Sequence, residues 1–338
     1  MAGLAQTTIN KINQVYNAWG TKIPAEFTPR NVLIFCVIAL LCIGSVMVAS
    51  ASMPYADRLH ENAFHYVIRH GISILVAAAA AFLTYKVSLN IWFNNTFPLW
   101  LMTILLLAVV LIVGTEVNGS TRWIRIAGFT LQASEVAKVM MAIFTADYVV
   151  RRAEEVRNNL SGLFRLGGVM VITVGLILAE PDLGATAVIV LMILGVFFLA
   201  GAPPIQFIGF MLAIILGLAA AIIFEPYRLQ RALSFTDPWA DPLGTGYQLS
   251  NALMAFGRGE WAGVGLGHSI QKMAYLPEAH TDFMLAILGE EFGFFGIATV
   301  LALSFTMLVC CIKIGHRALQ HQYLRAGYLA YGISIIFL

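Results

Sequence analysis

The sequence predicts an all-α polytopic membrane protein with one large polar loop, and three observations carry that prediction. Of the 338 residues, 59% are hydrophobic and 11% charged, where a soluble domain carries about 25% charged residues. The apolar residues gather into runs long enough to cross a bilayer, and the basic residues crowd into alternate connections between those runs. With a mean hydropathy of +0.82, the chain has too little charge to coat a water-facing surface. The net charge of +2 says little by itself, but no basic run stands out and no nucleic-acid partner is expected.

Residues 1–30 are polar and mixed, with Lys11, Lys22 and Arg30 ahead of the first apolar run, and read as a cytoplasmic tail. A cleavable signal would bring its short apolar core sooner and end on small residues, so the first span is expected to stay as an anchor. The membrane domain then occupies residues 31–338. A span takes roughly 20 apolar residues to cross ~30 Å of hydrocarbon. Such runs lie at about Val32–Ala51, Val67–Tyr85, Phe97–Gly114, Val136–Val150, Leu166–Ala179, Gly184–Ala200, Ile205–Phe224 and Phe295–Ile314. A ninth begins near Gly327 and reaches Leu338 with nothing polar to close it, so at least one further span is expected to follow. Cys36, Cys42, Cys310 and Cys311 fall inside apolar stretches, at spacings that suit neither a metal site nor a disulfide framework.

Basic residues in short loops set orientation. With the N-terminus inside, the cytoplasmic side collects Lys86, Arg151, Arg152, Arg157, Arg165, Lys313, Arg317 and Arg325 besides the three in the tail. The short outer loops collect Arg58, Arg69, Arg122 and Arg125. Residues 225–280 are thereby placed outside. This segment is too long for an ordinary connection, and Trp239, Tyr247, Trp261 and Tyr275 want burial, so an ordered, functional loop is expected. A single helix from Thr281 to Ile314 would run about 50 Å, too long for the bilayer. Gly289, Gly293 and Gly296 offer breaks, which predicts a half-helix over Asp282–Glu291 before the span proper.

Ionisable groups near spans cost about 2.5–3.5 kcal/mol each, so they are functional or paired. Glu135 and Lys138 share a helix face at i, i+3 and form either a structural ion pair or the lining of an outward polar cavity. Glu180-Pro181-Asp182-Leu183-Gly184 makes a tight outer turn whose carboxylates are either simply solvated or one wall of a cleft. In Leu276-Pro277-Glu278-Ala279-His280-Thr281-Asp282-Phe283, Thr281 is expected to cap the half-helix with Asp282 in its first turn. Glu278, His280 and Lys272 arrive at the same edge, where a carboxylate can act as a general base beside a cation that holds an anionic leaving group. Glu290-Glu291 must face protein or water, and helix-end hydrogen bonding is the plain account of them.

Several ordered motifs then carry a resemblance. They are Asn118-Gly119, Arg122-Trp123-Ile124, the Gln-x-Ser-Glu-x-x-Lys stretch at 132–138, the turn at 180–184, Trp239 to Gln248, Gly265 to Lys272, and Tyr275 to Phe283. Together the chain from Asn31 onward resembles the SEDS (shape, elongation, division and sporulation) family, and its Pro-Glu-Ala-His-Thr-Asp wording is closer to the division member than to the elongation member. Ala133 stands where Pro is frequent and His268 where Asn is frequent. The resemblance implies about ten transmembrane helices, about nine of them present here, and a periplasmic face for the loop. It implies polymerisation of lipid II into peptidoglycan glycan strands at the outer face of the inner membrane, with undecaprenyl diphosphate leaving. It also implies a class B penicillin-binding protein and other divisome proteins as partners, and enrichment at the division septum. Carried over by position, Asp282 is the catalytic carboxylate, Glu135 and Lys138 the intramembrane charged pair, and Asp182 a second sensitive acid.

The reaction that the resemblance implies needs one base and cations opposite the diphosphate. Asp282 supplies the first; Arg122, Arg125, Lys138, Arg231, Arg258 or Lys272, or a divalent ion such as Mg or Mn, supplies the second. The competing readings are a lipid II flippase, with acids and broken helices along its path, and a divisome scaffold. Acids clustered on one outer side favour the enzyme, since alternating access wants charge near the midplane.

Overall fold

The computed structural model describes residues 28–338 except 118–119, 127–128, 159, 225–229, 231–232 and 274. Arg231, Arg228, Asn118-Gly119, Lys11 and Lys22 lie outside the described residues.

α1 spans Pro29–His60, with Thr28 Oγ1 accepting from the Asn31 amide and Pro29 in the first turn. At 32 residues it is ~48 Å long, so its last turns project beyond the predicted span and carry Tyr55, Arg58 and His60. α2 (His65–Lys86) contains no buried residue and packs on α1. α3 (Leu89–Asn94) and α4 (Thr96–Val113) follow, then a three-stranded antiparallel sheet of β1 (Thr115–Val117), β2 (Ser120–Ile126) and β3 (Phe129–Gln132). The helices resume with α5 (Ala133–Arg151), α6 (Ala153–Asn158), α7 (Leu160–Ala179), α8 (Leu183–Leu199) and α9 (Pro204–Ile223). Within the loop lies α10 (Tyr247–Gly259), and α11 (Met284–Gln320) and α12 (Leu324–Ile336) end the described chain.

Each predicted span falls in one of these helices, and among the described residues five helices are long and apolar enough to cross a membrane by length and composition. α5 is excluded by its own polarity, since it carries Glu135, Lys138, Asp147 and Arg151. Two elements depart from expectation. The sheet was not foreseen, although Asn-Gly between alternating residues is a hairpin signal; β2 pairs Val117 with Ser120 and Trp123 with Gln132. α10 was likewise read only as ordered loop.

The predicted half-helix is a bent helix. α11 begins at Met284, two residues later than expected, and breaks at Gly293, whose φ of 65° and ψ of −159° favour glycine. The break leaves backbone groups without helical partners, and the loop supplies them. Val264 and Gly265 amides donate to the Glu290 and Glu291 carbonyls at 2.9 and 3.0 Å, while the Phe294 and Phe295 amides donate to Glu260 and Trp261 at 2.9 and 3.2 Å. The loop is thus spliced into the helix.

Burial divides into two cores. The larger joins α3 to α8 with α12 and includes Leu107, Met141, Ile189, Met192 and Phe197. The smaller joins Met47 and Ala51 of α1, Ala252 and Ala255 of α10, Leu276, Ala279, and Ala286 to Leu288 of α11. At the end of the bundle away from the loop, buried Asp147 gathers Arg151 and Arg325, each at 3.3 Å, and the Thr96 hydroxyl at 3.2 Å. This clasp brings together the ends of α4, α5 and α12 that the charge bias assigns to one side.

Candidate functional site

Three polar groupings stand at the loop end. The first lies on the larger core, around the turn between α7 and α8. Asp182 is the N-cap of α8: its Oδ1 accepts from the Ala185 amide at 3.0 Å, and its Oδ2 accepts from Gln132 Nε2 and Ser134 Oγ at 3.1 Å each. It is 6% exposed. Its oxygens are therefore committed to joining α8 to β3 and α5, and neither reading of a solvated turn or a cleft wall describes it. Arg122 is committed as well, donating through Nε to the Glu180 carbonyl at 3.1 Å and through Nη2 to the Pro181 carbonyl. Glu180 is fully buried, and neither carboxyl oxygen has a hydrogen-bond partner among the described residues. Burial, reinforced by Asp182 and opposed by Arg122, pushes its carboxyl up to about 7. Glu135 and Lys138 do pair, at 2.8 Å, with Glu135 on the open side.

The second grouping centres on Glu290 and Glu291, both buried. Glu290 accepts from Arg258 Nη1 at 2.6 Å, Ser269 Oγ at 2.5 Å and the Ile270 and Gln271 amides at 3.1 and 3.3 Å. Glu291 accepts from Lys272 Nζ at 2.6 Å and Ser50 Oγ at 2.7 Å. These glutamates do not serve their own helix end, as expected from sequence, but fasten the loop to α11 and α1. Lys272, expected as a cation for the diphosphate, is itself buried and paired with Glu291, and Arg258 is paired with Glu290 while still partly exposed. The close fit is also backbone-limited: a Cβ on Gly259 would stand 1.9 Å from the Gly289 carbonyl oxygen.

The third grouping is the turn before α11. Thr281 does not cap the helix; the N-cap position is Phe283, and the Thr281 hydroxyl donates to Glu278 Oε2 at 2.9 Å. Asp282 sits outside the helix, exposed, so the dipole-stabilised position expected for it is not the one it takes. Leu276 and Ala279 are buried in the smaller core and hold the turn, which closes through the Thr281 and Phe283 amides to the Glu278 carbonyl at 3.1 and 3.2 Å. His280 is half-buried between Tyr55 of α1 and Tyr66 of α2. Burial holds its imidazole below the usual histidine range, against the pull of Glu278. Arg58 Nη1 of α1 reaches the Met273 carbonyl at 3.4 Å.

Arg122, Glu135, Lys138 and Asp182 therefore belong to one structural unit, and Arg258, Lys272, Glu278, His280 and Asp282 to the other. Sequence reasoning missed Ser50, Tyr55 and Tyr66, which only folding brings to the loop. Among the described residues no three His, Cys, Asp or Glu side chains could together hold a metal ion. A magnesium-like ion takes one or two carboxylates and fills its remaining positions with substrate phosphate and water, which exposed Asp282 and Glu278 suit better than the committed acids.

The model of a family described as cell cycle protein, FtsW, RodA and SpoVE, matches residues 30–338. A probable peptidoglycan glycosyltransferase FtsW of Acinetobacter baylyi is 75% identical over 338 residues, 100% of this chain and 85% of its own length. A solved structure described as structural coordination of polymerization and crosslinking by a peptidoglycan synthase complex aligns with a TM-score of 0.69 at 26% identity, over 90% of this chain and 82% of its own. The crystal structure of the Thermus thermophilus rod shape determining protein RodA aligns with a TM-score of 0.62 at 21% identity, over 90% and 80%, a likeness of fold.

Proposed function

This chain belongs to the FtsW, RodA and SpoVE family of cell cycle proteins, and on that premise we infer that it is a peptidoglycan glycosyltransferase of cell division, a multi-pass membrane enzyme. It polymerises lipid II: a hydroxyl of the acceptor sugar attacks the anomeric carbon of a lipid-linked glycan, and undecaprenyl diphosphate departs. Residues 225–280 then form a periplasmic loop, the N-terminus lies in the cytoplasm, and the membrane is the inner membrane at the division septum. A class B penicillin-binding protein supplies crosslinking beside it, with other divisome proteins. The flippase reading is not favoured, because the acids cluster at the loop end and the 75% identical relative carries the transferase name.

The observation that carries the reading is Asp282, an exposed carboxylate on a turn anchored by buried Leu276 and Ala279. Four other acids at this end are engaged or enclosed: Asp182 by three donors, Glu290 and Glu291 by the loop, Glu180 by burial. Asp282 takes the acceptor proton as the bond to the diphosphate breaks. Asp282 or Glu278 would hold a divalent ion where one binds, and its positive charge, with that of Arg125 and Arg231, would offset the charge of the departing diphosphate.

The test is Asp282→Asn in purified protein given lipid II, with and without the transpeptidase. Asparagine keeps the shape but takes no proton, and loss of a general base typically costs ~100- to 10,000-fold in rate. Retention of more than about a tenth of the rate, well above that range, sends the base elsewhere.

A further inference from the structure

Asp282 has no hydrogen bond or ion pair to hold it among the described residues, so its placement depends on the turn beneath it. That turn is held firmly on one side, where Leu276 and Ala279 are 2% and 6% exposed. It also contains Glu278 at φ 55°, a conformation that non-glycine residues keep only when their surroundings enforce it. On the other side His280 sets its ring against α1 and α2. Its centroid lies 4.9 Å from Tyr55, nearly parallel at 26°, and 5.2 Å from Tyr66 at 44°, while the two tyrosines stand 5.9 Å apart. These separations fall within the range of favourable aromatic packing. Tyr66 is in turn held by His60, its hydroxyl 3.4 Å from Nε2, and by the His65 ring at 5.2 Å.

Two helices thereby converge on one imidazole. The feature matters because α2 contains no buried residue, so Tyr66 is where that helix reaches the turn. The lowered proton affinity of His280 fits a ring that is stacked rather than one that pairs as a cation with Glu278.

We propose that Tyr55 and Tyr66 clamp the His280 ring and so fix the turn that presents Asp282, which makes His280 a positioning residue for glycosyl transfer. The proposal rests on the reading of Asp282 as the base. It assigns His280 no proton of its own: the ring acts by packing, through the two peptide units that separate it from Asp282. Misplacement of a reacting group by about 1 Å costs on the order of 100-fold, so a clamp is enough to govern rate.

The experiment compares His280→Phe with His280→Ala, and Tyr66→Phe with Tyr66→Ala, in the full chain assayed on lipid II. The phenylalanine variants are expected to keep at least about half of kcat, and the alanine variants to lose ~10- to 100-fold with KM changed by about twofold or less. The double alanine variant should lose little more than His280→Ala alone, because both remove one clamp. If His280→Phe is as slow as His280→Ala, the imidazole does chemistry and the clamp is refuted. A second readout avoids activity altogether: amide exchange of residues 276–284 in an Asp282→Asn background. His280→Ala should speed it roughly tenfold and His280→Phe leave it within about twofold. Equal exchange in all three proteins would overturn the clamp while leaving Asp282 untouched, whereas an active Asp282→Asn with the exchange pattern intact would overturn the base and not the clamp.

Discussion

Lys272 Nζ stands 2.6 Å from Glu291 Oε1, with the two side chains 4% and 0% exposed, and the Ser50 hydroxyl of α1 closes the group. Removing one member of a buried pair leaves the other charge without compensation and costs about 3–5 kcal/mol. Lys272→Met and Glu291→Gln are each expected to lower the melting temperature in detergent sharply. The double change Lys272→Met with Glu291→Leu should recover much of the loss, since a well-packed apolar replacement is often neutral. A double variant that melts as low as the worse single variant would show that something other than the pair holds the loop.

The Glu135–Lys138 pair is unequal. Lys138 is 17% exposed and Glu135 58%, so Glu135→Gln strands the more enclosed charge, while Lys138→Met leaves a carboxylate that water reaches. Glu135→Gln is therefore expected to be the more damaging single change. A double-mutant cycle on thermal stability should give coupling of about 0.2–1 kcal/mol, the range for partly exposed helix pairs. Strict additivity would mean that the two residues act separately.

Glu180 predicts a pH dependence. Its carboxyl moves from 4.5 up to about 7 on folding, so the folded protein binds the proton more tightly than the unfolded chain does. The resulting stability is fully present below pH 4.5 and is lost as pH rises through 7. At ~1.36 kcal/mol per pH unit the whole swing is on the order of 3 kcal/mol. Glu180→Gln, which needs no proton, should melt at a temperature that changes less between pH 5 and pH 8.5. If wild type and variant show parallel curves, Glu180 has found a partner as an anion.

The charge bias predicts side. A reporter fused after Arg157 is expected to read cytoplasmic and one fused after Gly246 periplasmic. Reversal of either would move the Asp282 turn to the wrong face for a lipid-linked glycan.

The spans were legible because hydropathy and length are properties of contiguous residues: Val32–Ala51 falls within α1 and Phe97–Gly114 nearly coincides with α4. The helix break was legible from length, though only the structure shows that Gly293 among three glycines makes it. The pairing of Glu135 with Lys138 was legible because i, i+3 spacing is local. What was hidden depends on residues far apart in sequence. Asp182 reads as a free acid until Gln132 and Ser134 arrive from 50 and 48 residues away. Lys272 reads as a cation for substrate until Ser50 and Glu291 enclose it. The sheet escaped notice because short strands between spans bury little that would mark them.

The partnership of α1 with α11 has a consequence for synthesis. Ser50 and Glu291 are separated by 241 positions, and the smaller core takes Met47 and Ala51 from one and Ala286 to Leu288 from the other. Translation at about 5–20 residues per second leaves α1 in the membrane for roughly 12–50 s before its main neighbour exists. Through that interval α2 is at hand to pack on it but α11 is not, and the Ser50 hydroxyl lacks its eventual carboxylate. The face of α1 that meets α11 is thus packed late, and the turn bearing Asp282 can assemble against Tyr55 only once the chain has been made that far.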